Sequence, residues 1–63
     1  MAKRVEAINF SVGFSFERET PGTYRFMENG DKETHRIGTL YVKKSAFPKG
    51  APKGLRVSVE EVK

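Results

Sequence analysis

The fold is decided by the ten residues from Ile8 to Glu17, which read INFSVGFSFE. Every second residue in this stretch is apolar, and the residues between them are small or polar. Because successive side chains of a β-strand point to opposite faces, this spacing gives one continuous apolar face and one polar face. A helix would scatter the same side chains around its surface. The stretch therefore predicts a long, half-buried strand, whose apolar side chains are Ile8, Phe10, Val12, Phe14 and Phe16.

Three later segments also have strand character. Residues 23–28 form the second predicted strand, residues 34–42 the third and residues 55–60 the fourth. On the third, Leu40 and Val42 share one face, and Tyr41 lies on the other. The chain thus predicts an all-β fold. We expect a four-stranded antiparallel meander that either curls into a small half-barrel or forms an intersubunit sheet in a homodimer.

Glycine and proline mark the predicted connections. Pro21-Gly22 favours a type II turn, because glycine accepts the positive φ that this turn requires. Asn29-Gly30 is a strong hairpin signal, and it predicts either a two-residue turn or a longer polar loop through Glu33. Gly38, inside the third strand, predicts a bulge or a bend.

The last connection is a longer loop. Residues 43–54 contain two prolines and two glycines, so they predict a loop that begins with one helical turn near Ser45. Phe47 is its only large apolar residue, and we expect it to pin the loop to the sheet.

Length and composition limit the class of protein. A chain of 63 residues allows one small domain, residues 1–63, with little core to stabilise it. Without cysteine, and with the single His35, neither disulfides nor a metal site can add stability, so a homodimer is expected. No apolar run approaches membrane-spanning length, and Met1–Arg4 leads into an alternating strand. These features predict a soluble cytoplasmic protein that does not bind membranes.

The sequence shows no group of residues typical of a catalytic site. There is no cysteine nucleophile, the one histidine lies in a polar region, and the acids are scattered among lysines. The glycines of residues 49–54 lack the Ser or Thr and the helix of a phosphate-binding loop. We therefore expect no enzyme activity, no catalytic residues, no metal, no cofactor and no small-molecule substrate.

Charge is the strongest functional signal. The net charge is +4, but residues 1–33 hold five basic and six acidic residues, whereas residues 34–63 hold seven basic and two acidic ones. No acid lies between Glu33 and Glu60. This asymmetry predicts a small basic protein that binds nucleic acid, DNA in preference to RNA, through phosphate contacts of low sequence selectivity. The predicted contact residues are Arg36, Tyr41, Lys43, Lys44, Lys49, Lys53 and Arg56.

Two other interpretations of the same residues stay open. The lysine-rich loop is also what a small sheet needs to stay soluble and unaggregated. Alternatively, a sheet edge or an aromatic face recruits a partner strand, which would make the chain a protein-interaction or assembly module.

Two resemblances accompany these patterns. Residues 38–47, GTLYVKKSAF, followed by residues 55–59, LRVSV, resemble the AbrB-type swapped-hairpin regulators over less than half of the chain. That resemblance implies a DNA-binding dimer with interlocked hairpins. The residues ET at 19–20, TYRF at 23–26 and IGTLYVKKSA at 37–46 are similar to a pattern in short uncharacterised bacterial and phage proteins, which implies no particular function.

Overall fold

Four antiparallel strands form one curled, half-barrel sheet in the computed structural model, which describes residues 9–62. The strands are β1 (Asn9–Glu19), β2 (Thr23–Glu28), β3 (Thr39–Lys43) and β4 (Gly54–Glu60). Ile8, the first apolar residue of the predicted first strand, lies outside the described residues. Two 3-10 turns complete the regular structure, and no helix in this part of the chain is long and apolar enough to cross a membrane. The all-β prediction is confirmed.

The strand order is β3-β2-β1-β4, so β1 lies inside the sheet. The first three strands form the meander, and β4 returns to pair with β1, which makes the four strands a Greek key. Pairing with β4 satisfies the second edge of the longest strand, which would otherwise be unpaired. The connection, residues 44–53, is long enough, because ten residues reach about 33 Å and the sheet is about 14 Å across.

The alternating side chains of β1 build the core on what we call the inner face, the face of the sheet that carries Phe14 and Phe26. These two rings are 1% and 0% exposed, and Val12 is buried beside them. Half-buried apolar side chains from every strand pack around this centre, as the alternation predicts. They are Phe10, Tyr24, Leu40, Val42, Leu55 and Val57.

The crossover loop, residues 44–53, covers one end of the inner face. It begins with a 3-10 turn, Lys44–Ala46, close to the predicted helical turn. The ring of Phe47 lies 6.2 Å from that of Phe26 and 6.4 Å from that of Tyr24, and Ala51 also packs against the core. The prediction that Phe47 pins this loop to the sheet is confirmed.

A second loop, residues 29–38, covers the other end. It contains the 3-10 turn Lys32–Thr34, and β3 begins only at Thr39, so a strand from residue 34 was a wrong prediction. The cause is Glu28, whose carboxylate accepts hydrogen bonds from the backbone N–H groups of residues 36–38. Those donors are therefore not available to a strand ladder. Of the two predicted connections, the structure has the longer loop.

Local irregularities fix the register between β1 and β2. Phe16 pairs with Phe26, but the next pair is Arg18 with Arg25, so a β-bulge at Glu17 shifts the alternation by one residue. Between the two strands, the Thr20 N–H donates to the carbonyl of Thr23 over 2.9 Å. The glycines with positive φ are Gly30, Gly38 and Gly50. Gly22 is not among them, so the predicted type II turn is wrong.

Candidate nucleic-acid interface

The opposite side of the sheet, which we call the outer face, carries a cross-strand row of basic and aromatic side chains. Arg18 of β1 pairs with Arg25 of β2, which in turn pairs with Tyr41 of β3. Directly paired residues share a face of the sheet. Tyr41 is 55% exposed, the most exposed of the aromatic side chains in the described part. We call Arg18, Arg25 and Tyr41 the arginine–tyrosine row.

Arg25 is the centre of this row. Its guanidinium carbon lies 5.7 Å from the centre of the Tyr41 ring. Its Nε lies 2.8 Å from Oε1 of Glu17, an ion-pair distance, although the N–H is not aligned for a hydrogen bond. Because of the bulge, Glu17 and Arg18 both lie on this side of the sheet. Arg25 is therefore partly neutralised, and it holds the tyrosine ring in place.

Two basic side chains beside Arg25 keep their full charge. Lys43 follows Tyr41 by two residues on β3 and so lies on the same face, and Arg18 lies at the other end of the row. Both are exposed, and neither makes an ion pair with any residue in 9–62. The nearby carboxylate of Glu17 is paired with Arg25, so Arg18 and Lys43 can attract an anion at this end of the outer face.

The middle of the outer face is lined by uncharged residues. Gly54, Ser15, Met27 and Thr39 form the next row across all four strands, and Gly13 pairs with Arg56 beyond it. A side chain at Gly13 would meet the Asn29 amide nitrogen at 3.1 Å. Arg56 lies two rows from the arginine–tyrosine row, which is about 13 Å, because successive rows on one face are two residues apart at about 3.3 Å per residue. The outer face is thus uncharged in the middle, with basic groups on either side.

The other predicted contact residues lie elsewhere. Lys44 forms an ion pair with Glu19, and its ammonium lies 5.6 Å from the ring centre of Tyr24, on the inner side. Arg36 lies over the ring of Phe10, with 4.6 Å between guanidinium carbon and ring centre. Lys49 and Lys53 are exposed on the crossover loop. The structure brings Tyr41 and Lys43 together, with Arg56 on the same face, and places the remaining four in loops or on the inner side.

Sequence reasoning missed Arg18 and Arg25. Strict alternation from Phe16 puts Glu17 and Arg18 on opposite faces, and only the bulge brings Arg18 to the outer face. Arg25 was detectable, because it alternates with the apolar residues Tyr24 and Phe26 just as Tyr41 alternates with Leu40 and Val42. A count of charges conceals it, because residues 1–33 are acidic on balance.

The buried carboxylate of Glu28 was also missed. Glu28 is 7% exposed, and its carboxylate oxygens lie 2.8–3.1 Å from the backbone nitrogens of Arg36, Ile37 and Gly38. Burial by itself raises the pKa of this carboxyl group. The three N–H donors, together with the charge of His35, favour the ionised form more strongly and hold the pKa below its ordinary value of 4.5. This site is already filled by the protein's own backbone, so it anchors a loop and does not bind a partner.

Other kinds of site find no support in residues 9–62. No group of three acidic, histidine or cysteine side chains there could hold a metal ion, and this part of the chain encloses no pocket. A partner would therefore contact an open surface. No family model matches the chain, and neither the curated proteins nor the solved structures include a match to it.

Proposed function

We propose that this protein binds nucleic acid through its outer face, chiefly by contacts to phosphates and with little sequence selectivity. The observation that carries the proposal is the arginine–tyrosine row with Lys43 beside it. Arg18 and Lys43 supply unpaired positive charge, and Arg56 extends the basic surface. Lysine and arginine side chains that neutralise phosphates release counterions, which favours binding without any contact to base edges.

The loop lysines have a secondary part in the proposal. Lys49 and Lys53 are exposed, and no acidic residue lies between Glu33 and Glu60, so they add attraction at long range. Lys44 and Arg36 already contact side chains within the molecule, so they contribute through net charge alone. The resemblance to AbrB-type DNA-binding regulators stays a prediction, as does the preference for DNA over RNA. We place the function in the cytoplasm, which the absence of cysteine supports.

The proposal includes a homodimer. In the described part only Val12, Phe14 and Phe26 are buried hydrophobic residues, while Phe16 and Ile37 are more than a third exposed. Such a small core leaves a 63-residue chain little stability, and a second copy would cover the exposed apolar side chains. Light scattering on the purified protein should give the mass of two chains, and a single-chain mass at all concentrations would contradict the dimer.

A salt titration tests nucleic-acid binding. Fluorescence anisotropy with a labelled oligonucleotide at about 50 and about 200 mM salt should show affinity falling steeply as salt rises. Lys43→Glu should weaken binding about tenfold and reduce the salt slope by about one or more. Lys32→Glu is the matched control, because it makes the same charge change at an exposed site in the 29–38 loop. The proposal fails if the wild-type protein does not bind at low salt, or if the two variants lose affinity equally.

The assembly-module alternative makes a different prediction. It requires a partner strand or aromatic contact, and the exposed side chain of Phe16 offers one. Phe14 cannot serve this purpose, since it is 1% exposed and its replacement would act through stability. A glutamate scan of Lys43, Lys49 and Lys53 separates the two functions, because the alternative expects no effect from any of these substitutions on association.

A further inference from the structure

We infer that the outer face selects single-stranded over double-stranded nucleic acid and stacks one base on Tyr41. This inference rests on the proposed function, and it names the class of ligand. It follows from the width of the sheet, the position of the charges and the exposure of one aromatic ring.

The width of the sheet does not suit the major groove of a duplex. The row of Gly54, Ser15, Met27 and Thr39 crosses four strands, so the outer strand axes are about 14 Å apart at a spacing of 4.8 Å. The major groove of B-DNA is about 12 Å wide and admits a helix or a two-stranded ribbon. The arginine–tyrosine row crosses three strands, so at either row the sheet is wider than a two-stranded ribbon and does not fit into this groove.

A narrower part of the sheet exists, but its charge does not suit a groove. Residues 9–13 of β1 pair only with β4, which makes this end a two-stranded ribbon. On its outer side, Arg56 is the one basic residue and Glu60, which pairs with Asn9, is acidic. The remaining positions there are Ser11, Gly13 and Ser58. Arg18 and Lys43 lie at the opposite end, where β1, β2 and β3 make the sheet three strands wide.

The arrangement around Tyr41 suits an unpaired base. The ring is 55% exposed, and Arg25 lies 5.7 Å from its centre. Arg25 is in turn held by Glu17, so the ring is positioned before a ligand arrives. Exposed aromatic rings on β-sheets stack bases of single strands, and stacking tolerates any sequence. Lys43, two residues away on the same strand, is placed to contact the phosphate of the stacked nucleotide.

Binding by fluorescence anisotropy tests the inference with two probes, a labelled thymidine oligonucleotide of about 12 nucleotides and a duplex of the same length. Wild-type protein should bind the single strand at least tenfold more tightly. Tyr41→Leu should weaken single-strand binding roughly 5- to 150-fold, the range given by the loss of one stacked base, and leave duplex binding unchanged. Tyr41→Phe keeps the ring and should stay within about twofold of wild type.

Tyrosine fluorescence gives an independent readout. The chain has two tyrosines and no tryptophan, and Tyr24 packs between Phe16 and Phe47 on the inner side. In a Tyr24→Phe variant, Tyr41 is the only emitter. Its emission should be quenched by the unlabelled single strand and not by the duplex at equal absorbance.

The outcomes separate the inference from the function on which it rests. Equal binding of both probes, or no effect of Tyr41→Leu on single-strand affinity, would overturn the inference and leave phosphate-dependent binding in place. If neither probe binds at low salt, both are overturned.

Discussion

The two faces of this sheet are built from the same strands and differ sharply in burial. On the inner face, Phe14 and Phe26 are almost fully buried, and two loops fold over their neighbours. On the outer face, Arg18, Lys43 and the ring of Tyr41 meet solvent directly. The comparison indicates that the side chains of the inner face stabilise the domain, while those of the outer face are available to contact a partner. Substitutions should therefore separate into two classes.

The largest effect on stability is expected at Phe26. Phe26→Ala leaves a cavity where the ring is 0% exposed, which costs about 3–5 kcal/mol. A 63-residue domain is stable by only about 3–9 kcal/mol, so this variant should lose a large share of its stability, which urea unfolding followed by circular dichroism measures. Phe26→Leu is the graded control and should fold with reduced stability in urea. A Phe26→Ala protein of wild-type stability would contradict the inner-face core.

Phe47 should have an intermediate effect. Its half-buried ring packs against Phe26 and Tyr24, so Phe47→Ala should cost about 2 kcal/mol, roughly half the value for a fully buried ring. Urea unfolding measures the loss. Hydrogen exchange in the crossover loop should speed up more than exchange in β1. Uniform acceleration over the whole domain would mean that Phe47 does not anchor the loop specifically.

Much of this division was predictable from sequence. Alternation predicted which side chains share a face within each strand, such as Phe10, Val12 and Phe14 on the first and Leu40 and Val42 on the third, because a period of two needs no tertiary information. The bulge at Glu17 was not predictable, since one residue changes the register without any distinctive residue type. The pairing of β4 with β1 depends on how a long loop crosses the sheet, which local patterns do not encode.

The candidate site was predictable to a smaller extent. The same period of two places Tyr41 and Lys43 together and puts Lys44 on the opposite face, a distinction that a count of charges ignores. Arg36 looked like part of a basic surface, but the 29–38 loop, held by Glu28, brings it over Phe10. A glutamate at the end of an apolar strand gives no sign that it will bind backbone N–H groups nine residues later.

Acid should reveal the role of Glu28. Because its pKa is lower in the folded state than in the unfolded state, its ionised form stabilises the fold above pH 4.5, and this contribution is lost as the pH falls through the lower, folded value. Glu28→Gln should reduce stability at pH 7 by less than either phenylalanine substitution, and it should flatten the decline between pH 4.5 and the folded pKa. Urea midpoints at several pH values measure this. Glu33→Gln, at an exposed position, is the control and should keep the wild-type decline.

The smallest effect on stability is expected on the outer face. Lys43→Glu removes no packing, so its free energy of unfolding should stay within about 0.5 kcal/mol of wild type, while its affinity for an oligonucleotide falls. Urea unfolding and anisotropy on the same preparation give both values. If the loss of binding were matched by an equal loss of folded protein, the result would contradict the assignment of stability to one face and binding to the other.

The most direct test of the central claim is an NMR titration that follows the arginine Nε–H signals as a single-stranded oligonucleotide is added. Arg18, Arg25 and Arg56 lie on the outer face, and Arg36 lies over Phe10 on the inner side, so the molecule contains its own control. We expect the signals of Arg18, Arg25 and Arg56 to shift in proportion to bound ligand, while the Arg36 signal stays in place. A shift of Arg36 with the outer-face arginines unchanged would contradict the account.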